Sequence, residues 1–363
     1  MKRMKTIGFL SLVLWMTAGC ITGQSANRPY EKAVVEKVVV QEETPEKVEG
    51  LSERLSALEQ SISDLRSEVR ELGDRLRSIG PRPPLSTHKL PREIYLCGER
   101  FPLEDRNVWE NLDREFLVAL ENEAQVLLWM KRAKRYFPYI EKKLMEMGLP
   151  DDLKYLAITE SSLRPSAVSS TGASGIWQFI PSTGEKYGMR RNRTTDERFD
   201  FFKATEGALV YLKDLYGEFR NWALSMAAYN AGENKIRKEI DLQNTRDYFY
   251  LDLSAETERY VYKIAVAKII LSDPERFGFH LEANELYAPL QVERVQIELT
   301  RPLPIMDIAK AIGSYYKEVK EMNLHLSNDV IPAGIQFLNL PAGTSDRFWI
   351  FFSAWKKSWE PNR

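Results

Sequence analysis

From about Phe101 to Phe279 the apolar residues fall in helix-length stripes separated by Gly, Pro and Asn, with few alternating β-branched runs. So long a stretch in one period points to an all-α domain. At 363 residues with 44% hydrophobic positions, the chain has enough apolar material for that core and for a second, smaller one. Its 51 Lys and Arg are balanced by 52 Asp and Glu, which leaves no basic excess for gripping a phosphate backbone. Nucleic acid is not an expected partner. His88, His280 and His325 are far apart, and Cys20 and Cys97 form no CxxC pair. No metal and no cofactor are expected.

Upstream of the helical stretch, Lys2, Arg3 and Lys5 precede an apolar run from Ile7 to Met16, and Thr17-Ala18-Gly19 leads to Cys20. This reads as an export signal, since the run is too short to span a bilayer. Residues 25–50 are polar and charged without a sustained period, as in a flexible tether. Leu51, Leu55, Leu58, Ile62, Leu65, Val69, Leu72, Leu76 and Ile79 then recur at spacings of four and three. That is a heptad pattern with Leu at d and Ile62 and Val69 at a, which favours a parallel two-stranded coiled coil and hence a homodimer through residues 51–80. The alternative is a lone amphipathic helix. Pro81, Pro83, Pro84 and Pro91 forbid continuation and make a spacer.

Downstream, Val295, Ile297 and Leu299 alternate as a strand, Ile305 to Ile312 and Tyr315 to Met322 read as short helices, and Ile335 to Leu340 as a second strand. The order is βααβ. Phe348, Phe351, Phe352, Trp355 and Trp359 follow at helical spacing and are expected to lay an aromatic face on a neighbour.

The chemistry concentrates in three places. Leu149-Pro150-Asp151-Asp152 reads as a helix start, and Leu153, Leu156 and Ala157 form an inward stripe that Glu160 continues. Pro165 bounds the helix, so Glu160 lies near its negative end. Burial and that end both raise a carboxyl pKa, but an exposed helix end supplies at most about 1 kcal/mol. Half-protonation at neutral pH needs about 4 kcal/mol, so desolvation must dominate. Such a Glu is a plausible general acid, although Glu160-Ser161 alone favours an ordinary solvated helix end. Gly172-Ala173-Ser174-Gly175 allows close backbone approach to a ligand, and Gln178 carries the amide of the following apolar run. Ala227-Ala228-Tyr229-Asn230-Ala231-Gly232 places a phenol and an amide at a helix end. Taken singly, Gln178, Tyr229 and Asn230 each also suit a structural role.

Together Glu160-Ser161, Gly172-Ala173-Ser174-Gly175-Ile176-Trp177-Gln178-Phe179 and Ala228-Tyr229-Asn230-Ala231-Gly232 resemble the catalytic domain of family 1 lytic transglycosylases. Gly148-Leu149-Pro150, Asp196-Glu197-Arg198-Phe199-Asp200 and Glu258-Arg259-Tyr260-Val261 extend the resemblance. It implies a lysozyme-like helical fold that cleaves the β-1,4 bond between N-acetylmuramic acid and N-acetylglucosamine in peptidoglycan. Glu160 would be the single catalytic acid and base, forming a 1,6-anhydro product without water. Ser161, Gln178, Tyr229 and Asn230 would line the cleft, with Tyr229 close to the Glu160 carboxylate. Trp177 stands where the family more often has Met, with an expected effect on sugar stacking. Asp196, Asp200 and Glu206 are the other acids weighed as a second carboxylate, and they read as structural. Residues Val292 to Pro341 resemble a LysM module, a binder of N-acetylglucosamine chains. Cys20 after Ala-Gly resembles a bacterial lipoprotein box, which implies a lipid-anchored periplasmic enzyme, and Ile21 after it implies the outer membrane of a Gram-negative cell.

The expected organisation is mainly α: a signal peptide (1–19), a tether (20–50), a coiled coil (51–80), a Pro-rich linker (81–92), a catalytic domain (93–290), a LysM-like module (291–345) and an aromatic helix (346–363). Two rivals remain from sequence: a goose-type lysozyme, which would deliver water to the same bond, and a non-catalytic peptidoglycan-binding scaffold.

Overall fold

A computed structural model of the chain describes residues 45–79 and 83–358. The signal peptide, Cys20 and the tether as far as residue 44 lie outside the described residues, as does Trp359. The described residues divide into two units between Arg70 and Glu71. Helix α1 (Pro45–Ile79), which crosses that division, starts inside the segment that the sequence assigns to the tether. Proline is at home in a first helical turn, and the acid-rich sequence here suits the positive end of a helix. Leu55, Leu58, Ile62, Leu65 and Val69 are each between 48% and 67% exposed in the single chain.

The second unit contains a 3₁₀ turn at Leu85–Thr87 and a small hairpin, β1 (Tyr95–Leu96) paired with β2 (Glu99–Arg100). Cys97 and Gly98 both take positive φ, the backbone that a tight two-residue hairpin demands. The helical period gives no sign of this hairpin. Then come α2 (Arg106–Glu121), α3 (Glu123–Met147), α4 (Leu156–Ser161), α5 (Pro181–Lys186), α6 (Phe201–Phe219), α7 (Trp222–Ala231), α8 (Glu233–Gln243) and α9 (Ala255–Ser272). Side chains of Asp105, Asn122, Asp200 and Asn221 accept from the first free N–H groups of α2, α3, α6 and α7, which fixes where those helices begin. Val108, Leu112, Phe116 and Leu120 bury one stripe of α2. Helix α9 is buried on most sides, through Tyr260, Val261, Ile264, Ala265 and Ile269 among others, as befits a central helix. Helices α2, α4 and α7 all pack on it.

After Val292 the chain forms β3 (Val292–Leu299), β4 (Leu303–Pro304), α10 (Ile305–Ile312), α11 (Tyr316–Met322), β5 (Val330–Ile331), β6 (Gly334–Pro341) and α12 (Ser345–Lys357). Strands β3 and β6 pair antiparallel with Val295 opposite Leu338. Val295, Ile297, Leu299, Leu338 and Leu340 turn inward with Ile305, Ile308 and Ile312 to make a second core. Phe348 and Phe352 of α12 are buried against it. The two cores are bolted together by Arg294, which grips Asp200 through two bonds of 2.8 and 2.9 Å. Burial opposes ionisation of Asp200, but Arg294 prevails and holds its carboxyl below the usual range. Backbone bonds from Asp196 N–H to His325 O (2.8 Å) and from Ser327 N–H to Thr194 O (2.9 Å) add to the joint. Among the described residues no helix is long and apolar enough to cross a membrane.

Candidate active site

Helix α4 is short and its end is closely controlled. Where the sequence suggests an α-helix from Pro150, a 3₁₀ segment, Asp151–Tyr155, leads into it, a common way for a helix to start. The helix stops at Ser161 because Ser162 and then Leu163 take left-handed backbone, φ 55° and 58°, before Pro165 is reached. Each such non-Gly residue costs about 1–2 kcal/mol. Compensation comes from full burial of Leu163 and from its N–H, which returns to Ala157 O at 3.1 Å. Arg164 Nε donates to Ser161 O and Arg132 donates to Ser162 O, so two cations meet the negative end of the helix.

Glu160, in that last turn, lines a cleft of about 470 Å³. It is half-buried, and the Tyr260 hydroxyl donates to its Oε1. Burial pushes the Glu160 pKa up to about 7, the Tyr260 hydrogen bond pulls it down, and the charge of Glu256 adds to the rise. Loss of solvation outweighs the other influences, as the sequence argument requires. A lift from 4.5 to about 7 corresponds to about 3 kcal/mol at ~1.36 kcal/mol per unit. The group can therefore exist in both protonation states near neutral pH, which suits an acid that later serves as a base.

The opposite wall is the loop from Gly172 to Phe179. Arg198 stitches it from behind, donating to Gly172 O at 2.9 Å and Phe179 O at 2.8 Å while paired with Asp196. Gln178 adopts φ 49° and gives Nε2 to Gly175 O (2.7 Å) and Ala167 O (3.2 Å). Two carbonyl partners fix the amide orientation and leave Oε1 as the atom free to meet a ligand. Asn230, at the end of α7, accepts at Oδ1 from Thr257 Oγ1 at 3.0 Å, so its Nδ2 is the free donor. Gln178, Tyr229 and Asn230 all line the cleft with Glu160.

One expected placement differs, that of Ser161. Ser161 does not reach the cleft: it is buried, and its Oγ donates to Ile176 O at 2.8 Å, pinning the Gly172–Phe179 loop to α4. Tyr229 lies close to Glu160 as expected, since burial and then the Glu160 charge raise its pKa, but its hydroxyl donates to Trp177 O at 2.8 Å, and Tyr260 is the phenol that bonds Glu160. Trp177 itself is fully buried, with Nε1 donating to Thr205 Oγ1 at 2.9 Å, and its ring does not line the cleft, so the expected effect on sugar stacking has no surface to act from. Asp196, Asp200 and Glu206 are all engaged in structural pairs, with Arg198, Arg294 and Lys143 respectively.

The cleft also holds acids that sequence reasoning missed, Glu233 and Glu256. Glu233 sits below its ordinary pKa range because its own backbone N–H, the Tyr211 hydroxyl and Lys186 favour the charge, against some burial. A signal for α9 did exist. Glu256, Tyr260 and Lys263 fall at i, i+4 and i+7, on one face of the helix, and all three line the cleft.

Comparison with known proteins places this geometry. Residues 137–251 match the family model described as Transglycosylase SLT domain, a span that includes Glu160, Gln178, Tyr229 and Asn230. The chain is 32% identical over 222 residues to membrane-bound lytic murein transglycosylase D of Escherichia coli strain K12, covering 60% of this chain and 48% of that protein. It is 32% identical over 117 residues to a putative tributyltin chloride resistance protein of Alteromonas sp. strain M-1, covering 31% and 56%. The chain thus spans about half the length of these relatives. Among solved structures, the 70 kDa soluble lytic transglycosylase SLT70 of Escherichia coli aligns with 21% identity and a TM-score of 0.34, covering 48% of this chain and 32% of that one. Over residues 137–251 the helical body of this chain is thus similar to a transglycosylase SLT domain.

Proposed function

We propose that this chain is a peptidoglycan lytic transglycosylase acting on the β-1,4 bond between N-acetylmuramic acid and N-acetylglucosamine, with Glu160 as its one acid and base. The observation that carries the reading is the Glu160 carboxyl, with a pKa of about 7, beside Tyr260 in a cleft that also offers the Gln178 and Asn230 amides. Protonated Glu160 gives its proton to the glycosidic oxygen as the C1–O bond breaks. The carboxylate then takes the proton of the muramoyl C6 hydroxyl, whose oxygen closes on C1. No water is consumed. Gln178 Oε1 and Asn230 Nδ2 are placed to hold acetamido or hydroxyl groups, and the Tyr229 ring flanks them.

The goose-type lysozyme reading draws on Glu256 and Glu233, since a second carboxylate in the cleft can activate water. Mass spectrometry of muropeptides released from purified sacculi separates the two. The transglycosylase gives 1,6-anhydromuramoyl ends, and products heavier by one water would assign hydrolysis. A wild-type chain that solubilises nothing would leave only the scaffold role.

The setting belongs to the same proposal. The enzyme is exported, lipidated at Cys20 and held at the outer membrane on the periplasmic side. Residues 51–80 pair two copies, since a single chain leaves the apolar a and d side chains from Leu55 to Val69 exposed. The unit from 291 to 345 acts as a LysM-like module.

A further inference from the structure

Among the described residues that line the catalytic cleft, Lys263 is the only cation. It is half-buried on α9, and among the described residues its ammonium meets no acid and no hydrogen-bond acceptor. Other partly buried lysines are paired: Lys143 with Glu206, Lys154 with Glu141, Lys203 with Glu197 and Lys268, on the same helix, with Asp152. A lysine with a covered stem keeps its charged head in water, and for Lys263 that water is the cleft into which substrate must come.

Position sharpens the point. Glu256 and Lys263 share the cleft face of α9 but are roughly 10 Å apart along the helix axis, so they do not neutralise each other. Tyr260, whose hydroxyl bonds Glu160, lies between them. Lys263 is thus one turn, about 4.5 Å of helix, beyond the reacting centre. A strand with its scissile bond at Glu160 brings its side groups within reach of that ammonium.

The sugar rings of such a strand are uncharged, and the bond to be cleaved needs no cation there. What is anionic is the muramoyl side group. Its lactyl ether ends either in a carboxylate or in an amide to a peptide that carries carboxylates of its own. An ammonium on a flexible stem, with three donors that turn freely, suits a carboxylate on a flexible arm. Glu256 repels the same group from the other end of the face, which favours one orientation of the strand.

On the peptidoglycan reading above, we infer that Lys263 is a specificity-determining residue that takes a carboxylate of the muramoyl side group.

The test is equilibrium binding to the full chain carrying Glu160→Gln, which stops turnover, alone and combined with Lys263→Gln or Lys263→Arg. Calorimetry compares three probes: soluble peptide-bearing glycan strands, the same strands stripped by an amidase, which frees the lactyl carboxylate, and an uncharged N-acetylglucosamine hexamer. Lys263→Gln is expected to weaken a charged probe about tenfold, as befits one charge-assisted hydrogen bond, and to leave the hexamer unchanged. It should also flatten the salt dependence of binding to the charged strands, and Lys263→Arg should restore most of the affinity. Weakening confined to peptide-bearing strands assigns the acid to the peptide, and weakening on stripped strands assigns it to the lactyl group. Equal weakening of all three probes would make Lys263 structural, and no change on either charged probe would also overturn the inference. Digestion of sacculi by the wild type reads the catalytic claim separately. Cleavage without a Lys263 effect on binding leaves that claim standing and this one overturned, whereas a chain that neither cleaves sacculi nor binds the strands overturns both.

Discussion

Glu160→Gln is expected to abolish measurable cleavage of sacculi, a loss of at least about 10²–10⁴-fold, while binding to sacculi persists. The substitution keeps shape and an oxygen that can accept from the Tyr260 hydroxyl, so the cleft should remain built. What disappears is the proton. The same variant should also gain stability, with a pH dependence that fixes the cause. Because the folded pKa of about 7 lies above the ordinary 4.5, the folded chain binds this proton more tightly than the unfolded chain. The stability it contributes is whole below about pH 4.5 and is lost as pH rises through about 7. Gln has no proton to lose. Chemical denaturation should therefore find the variant close to wild type near pH 4.5 and more stable near pH 8, by up to about 3 kcal/mol. An inactive variant without that gain would mean that Glu160 acts from an ordinary pKa.

Gly175→Ala should damage the protein more than any other glycine change in the catalytic loop. Gly175 has φ +82°, and a Cβ there would stand 1.9 Å from Arg198 O and 2.9 Å from Arg198 C. Both clashes are with backbone, in a residue whose side chain holds the loop at Gly172 O and Phe179 O. Neither side can yield without releasing Gln178 and the Trp177 carbonyl to which Tyr229 donates. The expected cost is at least about 3 kcal/mol, with loss of activity. Gly172→Ala is the control: its φ is +83° but nothing lies within 4 Å of the added carbon, so only the backbone strain of about 1–2 kcal/mol applies. Thermal unfolding of the two variants side by side should show the difference. Equal small effects would contradict the packing described for this loop.

These contrasts also show what a sequence can and cannot convey. Periodicity carried the helical body, and it gave Ile305–Ile312 to the residue, because burial of one face is written in consecutive spacing. The inward stripe through Leu153, Leu156 and Ala157 was likewise enough to argue a raised Glu160 pKa, since burial on a known face is a local inference. Partner identity is different. Tyr260 reaches Glu160 across 100 residues, and Tyr229 turns to Trp177 O across 52, through the packing of α4 and α7 on α9. Nothing local to Tyr229 or Tyr260 says which of the two phenols near the carboxyl bonds it. Ser161 misled for a related reason: beside an acid that faces the cleft, it lies a third of a helical turn away and points into the core. The β1–β2 hairpin was hidden because four paired residues are too few for alternation to register.

Loss of solvation keeps the Glu160 carboxyl partly protonated near neutral pH. The most direct measurement is a carboxyl ¹³C NMR titration of the full chain labelled at glutamate, with the Glu160 resonance assigned by its absence from Glu160→Gln. A midpoint near pH 7 is expected. A midpoint in the ordinary range, near 4.5, would contradict it.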